Sequence, residues 1–177
     1  MLDKLVKKRK PLEYILYTAI IFAGVLLDQI TKLLTLAYLK PVGSVPIIKG
    51  VIHLTYVEND GAAFGMLDDA RWVFMTTSVV MIVGMLLFLY LGHAEGRLYE
   101  VSIAMIISGG IGNMIDRIAY GYVVDFIDFA LIDFAVFNGA DSFVCVGGGL
   151  LILAFIIDMK REYVAEKREK EKGNDEA

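Results

Sequence analysis

Four apolar blocks, separated by short polar stretches, organise this chain. Residues 14–37 are free of charge in their first half and carry Asp28, Gln29, Thr31 and Lys32 in their second. Residues 73–91 contain no charge at all, and residues 101–120 contain none until Asp116 and Arg117. Residues 134–157 carry one, Asp141. A helix of about 20 residues crosses the ~30 Å hydrocarbon core of a bilayer, so the pattern predicts four transmembrane helices. Between the first two blocks, residues 41–70 are punctuated by Pro41, Gly43, Pro46 and Gly50, and residues 51–57 are rich in strand formers. That combination predicts a small β element. After Gly121, the apolar run is interrupted by Asp125 and Asp128, and residues 121–133 are expected to form a short interfacial helix or re-entrant piece.

Charge sets the orientation. Lys4, Lys7, Lys8, Arg9 and Lys10 precede the first block, and a basic tail, residues 160–177, follows the last. Arg97 lies in the short connection between the second and third blocks. By the positive-inside rule this side is cytoplasmic, which puts both termini inside and residues 41–70 and 121–133 outside. The expected fold is therefore a single, mainly α membrane domain over residues 1–177. It has four transmembrane helices, with a small β element and a short interfacial helix on the outer face.

Composition agrees: the 177 residues are 57% hydrophobic, and mean hydropathy is +0.62. Cys145 is the single cysteine, so no intramolecular disulfide forms, and its apolar setting reads as that of a small core residue. His53 and His93 lack ligand spacing, so a zinc site is not expected, and the chain shows no phosphate-binding loop or dinucleotide fingerprint. The basic ends read as topology signals, not as a nucleic-acid footprint. The first block is too long for a cleavable signal peptide and lacks a cleavage site.

Ionisable residues inside spans are costly and mark function by default. At 1.5 Å rise per residue, Asp28 lies about 21 Å from Tyr14, Asp116 about 22 Å from Val101, and Asp141 about 24 Å from Ile157. All three fall in the outer third of the bilayer, and Asp125 follows the third span closely enough to reach the same level. Asp28, Thr31 and Lys32 share one helix stripe, as do Asn113, Asp116 and Arg117. Asn138 and Asp141 stand three apart. Asp28 with Lys32 and Asp116 with Arg117 read as helix–helix glue, because an adjacent cation holds an acid ionised. Asp125 and Asp141 lack such a neighbour, and two carboxyls in a partly dry site share a proton, as in aspartic peptidases.

Five motifs run through these residues: Asp28-Gln29-Ile30-Thr31-Lys32; Asn59-Asp60-Gly61-Ala62-Ala63-Phe64-Gly65; Gly109-Gly110-Ile111-Gly112-Asn113-Met114-Ile115-Asp116-Arg117; Val123-Val124-Asp125-Phe126; and Phe137-Asn138-Gly139-Ala140-Asp141. In that order, from Asp28 to Gly147, the chain resembles the bacterial lipoprotein signal peptidases (signal peptidase II). The resemblance implies an aspartic endopeptidase of the bacterial cytoplasmic membrane. Such an enzyme removes signal peptides from diacylglyceryl-modified prolipoproteins near the outer face. It implies Asp125 and Asp141 as the catalytic pair. Asp28, Lys32, Asn59, Gly61, Asn113, Asp116, Arg117 and Asn138 would be supporting or substrate-binding residues, and no metal or cofactor would be used. The expected partners are the lipidated substrate and membrane lipids, with the enzyme acting as a monomer. Phe64, Trp72 and Tyr122 are expected as interfacial aromatic anchors. Two rival classes are a proton-coupled transporter, against which the single depth of the carboxylates argues, and a scaffold whose polar residues only lock helices together.

Overall fold

The computed structural model describes residues 10–61, 71–91 and 96–175. Four helices form its body: α1 (Pro11–Leu34), α2 (Arg71–Tyr90), α3 (Arg97–Ala119) and α4 (Gly139–Asp175). α1 continues through a π-helical turn, Thr35–Leu39. α3 is central and packs on the other three helices. Its backbone approaches α4 closely: a Cβ at Gly147 would lie 2.8 Å from the Ser102 carbonyl oxygen, and one at Gly109 would strike the Ala140 carbonyl. Small residues at these crossings let the helices meet.

The burial pattern is inverted relative to a water-soluble fold. α1 buries Tyr17, Gly24, Asp28 and Lys32, one stripe at helical spacing. Leu12, Ile15, Phe22, Leu26, Leu27 and Leu33 point outward. In water, leucine hides and lysine does not; the reverse arrangement suits lipid. Three helical stretches are long and apolar enough to cross a membrane: Pro11–Leu39, Arg97–Ala119 and Gly139–Arg168. α2 contributes a shorter apolar stretch, Met75–Tyr90. An apolar core of Tyr17, Leu89, Ile103, Ala104 and Ile107 holds α1, α2 and α3 together.

Strands β1 (Ser44–Ile48), β2 (Ile52–Asn59) and β3 (Val123–Asp128) form an antiparallel sheet in the order β1-β2-β3. β3 corrects one expectation. The segment read as an interfacial helix is a strand, and its helical part shrinks to one 3-10 turn, Ala130–Ile132. Val123, Val124, Phe126 and Ile127 are strand formers, and the free edge of β2 supplies partners, with Val57 opposite Asp125 and Asn59 opposite Val123. Residues 134–138 are likewise not the start of the last helix. Phe137 instead bridges Ile127, its N–H donating to the Ile127 carbonyl at 3.0 Å.

Other expectations also shift. α4 does not end with the apolar block at residue 157 but stays helical to Asp175. Cys145 is exposed, because the buried stripe of α4 runs through Ala140, Gly147 and Ala154, and Cys145 lies off it. Glu100 is buried in the first turn of α3, where the Tyr17 hydroxyl donates to it. Trp72 is exposed, and Tyr122 stacks on Tyr120 with ring centroids 5.9 Å apart. Phe64, Ala62, Ala63, Gly65, His93 and the basic residues 4–9 lie outside the described residues.

Candidate active site

The sheet and the outer ends of α1, α3 and α4 converge on one hydrogen-bonded cluster. The bridge between Phe137 and Ile127 places Asn138 beside β3, and Asn138 then starts α4. Its Oδ1 accepts the Asp141 N–H at 3.0 Å, and Asp141 Oδ2 accepts the Asn138 N–H at 3.2 Å. This reciprocal pair is a capping box, which satisfies backbone donors that a helix start leaves free. A further donor of that first turn, the Ala140 N–H, is taken by Asp28 Oδ1 from α1 at 2.8 Å.

Asn138 also reaches the other carboxyl. Its Nδ2 donates to Asp125 Oδ1 at 2.6 Å and to Asn113 Oδ1 at 3.0 Å. Asn113 Nδ2 in turn donates to Asp141 Oδ1 at 2.7 Å. From β2, Asn59 Nδ2 donates to Asp125 Oδ2 at 2.8 Å, while its own Oδ1 accepts the Gly61 N–H at 2.9 Å. Gly61 has φ +87°, a left-handed turn that glycine adopts without strain. These bonds fix the orientation of all three amides, since each oxygen and nitrogen has a partner of the right kind. Asp125 is 1% exposed. Burial raises its carboxyl to about 6; hydrogen bonds from Asn59 and Asn138 oppose the shift, and the charge of Asp141 adds to it.

Beneath this pair lies a second layer of charge. Lys32, 2% exposed, sits 2.9 Å from Asp28 and 3.0 Å from Asp116, and it donates to Asn113 Oδ1 at 2.8 Å. Gln29 Nε2 donates to Asp116 at 3.0 Å and to the Gly112 carbonyl at 3.1 Å. Asp116 Oδ2 accepts the Val124 N–H at 3.0 Å, tying β3 to α3. The sequence pairs Asp116 with Arg117, and the structure adds Lys32 from another helix. Arg117 lies at the margin, with Nη1 3.5 Å from the Asn113 carbonyl. Among the described residues no group of three or more His, Cys, Asp or Glu is placed to hold a metal ion.

Of the residues expected at the site, Asp28, Lys32, Asn59, Asn113, Asp116, Asp125, Asn138 and Asp141 join one network of hydrogen bonds and ion pairs, Gly61 reaches it through Asn59, and Arg117 stands at its edge. Gln29 and the Ala140 N–H are additions. An amide directly after Asp28 signals little in one dimension, but Asn138 followed three positions later by Asp141 is a helix-start signature that the sequence does display.

A family model described as signal peptidase (SPase) II matches residues 20–157. The chain belongs to the signal peptidase II family. It is 50% identical over 136 residues to a lipoprotein signal peptidase of Caldanaerobacter subterraneus subsp. tengcongensis, covering 77% of this chain and 91% of that one. A lipoprotein signal peptidase of Halothermothrix orenii is 47% identical, covering 76% and 90%, and one of Brevibacillus brevis is 41% identical, covering 84% and 97%. A solved structure of a bacterial membrane enzyme superposes with a TM-score of 0.71 at 30% identity, covering 82% of this chain and 90% of that one. As a signal peptidase II family member the chain is a peptidase, and its apolar helices make it a multi-pass membrane protein.

Proposed function

We propose that this signal peptidase II family member is an aspartic endopeptidase that removes signal peptides from diacylglyceryl-modified prolipoproteins at the outer face of a bacterial cytoplasmic membrane. One observation carries the reading. Asn138 is bonded to both carboxyls at once, to Asp125 through its side-chain amide and to Asp141 through the capping box. A pair held through one residue and coupled by charge is suited to share a proton.

The roles follow from the two settings. Asp125, raised to about 6 by burial, holds the shared proton and lends it to the scissile carbonyl oxygen. Asp141 accepts N–H bonds on both oxygens and takes a proton from water as that water attacks the carbonyl carbon. As the tetrahedral species collapses, one of its hydroxyls gives a proton back to Asp125 while the carbonyl re-forms, the C–N bond breaks, and the proton on Asp141 passes to the departing amine. Asn59 and Gly61 stand at the mouth and suit contact with the peptide backbone. Lys32, Asp28 and Asp116 hold the helices and orient Asn113.

In this reading α2 is the fourth span, both termini are cytoplasmic, and the sheet lies on the outer surface. The substrate's lipidated cysteine is then anchored at the level of the carboxyls. The test is cleavage by purified enzyme of a fluorogenic peptide carrying a diacylglyceryl cysteine, beside its unlipidated twin. Preferential cleavage of the lipidated peptide is expected. Equal cleavage of both contradicts the substrate assignment, and cleavage of neither contradicts the hydrolase.

A further inference from the structure

At the end of the bundle opposite the carboxyls, α2, α3 and α4 form an open slot of about 520 Å³ whose lining includes Met85, Phe88, Ile103, Ile106, Leu151 and Phe155. No charged residue lines it. Tyr99 also lines it and is shared with an adjoining depression of about 280 Å³. That second depression is lined by Arg97, Asp158 and Arg161 among others. It joins, through Ile157 and Arg161, a groove along α4 that carries Lys160 and Arg168. An apolar slot therefore opens into a basic mouth.

The depth of the mouth is informative. Arg97 precedes Asp116 by 19 residues along α3, about 28 Å at 1.5 Å per residue. Arg161 follows Asp141 by 20 residues along α4, about 30 Å on the same rise. Both arginines thus stand one hydrocarbon thickness, ~30 Å, from the level of the carboxyls. If the carboxyls lie at one headgroup layer, the arginines lie at the other.

We infer that this slot and its mouth bind one anionic phospholipid of the inner leaflet, with an acyl chain between α2, α3 and α4 and the phosphate at Arg97 and Arg161. Guanidinium groups match phosphate oxygens in charge and geometry, and basic pockets between transmembrane helices on the cytoplasmic side favour anionic headgroups. The slot falls within the size range of small-molecule sites. Acids are present too. Asp158 lies 3.4 Å from Arg161, and both Asp158 and Glu162 stand close enough to Tyr99 to act on it electrostatically. With Lys160 and Arg168 in the adjoining groove, four basic residues stand against Asp158 and Glu162, so the mouth stays positive, and Asp158 competes with the phosphate for Arg161. The inference extends beyond the peptidase reading and rests on the orientation proposed with it, both termini cytoplasmic, but not on the chemistry.

Native mass spectrometry of the full-length protein in detergent, titrated with phosphatidylglycerol or phosphatidylcholine, tests it without any cleavage assay. Phosphatidylglycerol is expected to bind at least tenfold more tightly. The double variant Arg97→Gln/Arg161→Gln should erase that preference, and Asp158→Asn should tighten phosphatidylglycerol binding about threefold. A gain of affinity does not arise from misfolding, so the second variant stands even if the first folds poorly. Glycerol phosphate at millimolar concentration should not displace the lipid. Equal binding of the two lipids, no response to Asp158→Asn, or displacement by glycerol phosphate overturns the inference.

Discussion

Replacing Lys32 with methionine removes one buried ammonium and leaves two carboxylates, Asp28 and Asp116, 1% and 0% exposed, with no cation between them. The stem of the side chain is nearly conserved, so packing changes little. Removing one partner of a buried ion pair costs about 3–5 kcal/mol, because the remaining charge is desolvated and uncompensated. The N–H donors that persist, Ala140 and Val124 with Gln29 beside them, place the expected loss toward the lower part of that range. For a chain of this length about 1 kcal/mol moves the midpoint by roughly 2–4 °C. Lys32→Met is therefore expected to unfold roughly 6–15 °C below the parent when melting is followed by circular dichroism in detergent. Adding Asp28→Asn and Asp116→Asn removes the stranded charges and should recover at least half of the loss. A Lys32→Met midpoint within about 2 °C of the parent, or no recovery in the triple variant, refutes the view that this triad is held together by charge.

Other outcomes follow from the same geometry. Because the Asp125 carboxyl is raised to about 6, the native state binds a proton more readily than the unfolded chain. That stabilisation is complete below about pH 4 and is lost as pH rises through 6. Relative to Asp125→Asn, the parent should therefore lose up to about 3 kcal/mol between pH 4 and pH 8; parallel stability curves from denaturant titrations would contradict this. Peptide cleavage should follow a bell-shaped pH profile, with the alkaline limb near 6 in the free enzyme, since one carboxyl must hold a proton and the other must not; a flat kcat/KM profile argues against proton sharing. Gly109→Ala drives a Cβ into the Ala140 carbonyl, with Val144 Cγ2 at 2.7 Å, and should cost about 1–3 kcal/mol. Gly148→Ala, with nothing within 4 Å, should be neutral in the same melt.

The helices were legible because lipid imposes long apolar runs, and the charges stood out against them. Asp28, Asp116 and Asp141 could be levelled by simple rise per residue, and the structure does gather them. Partner choice was harder to read. Lys32 serves Asp116 as well as Asp28, a contact that depends on how α1 crosses α3, which no local spacing encodes. β3 was misread because Asp125 and Asp128 interrupt an apolar run in a way that fits neither helix nor strand periodicity, and the deciding factor is the free edge of β2. The late start of α4 was written in Asn138 and Asp141, but the apolar Phe134 to Phe137 masked it.

The central claim is that Asp125 and Asp141 do the chemistry while Lys32, Asp28 and Asp116 hold the frame. Its most direct test is single-turnover cleavage of a diacylglyceryl prolipoprotein by purified Asp125→Asn and Asp141→Asn, each first shown to be folded by its melting curve. The account predicts at least a thousandfold loss of rate in both. Cleavage by either variant within tenfold of the parent would contradict it.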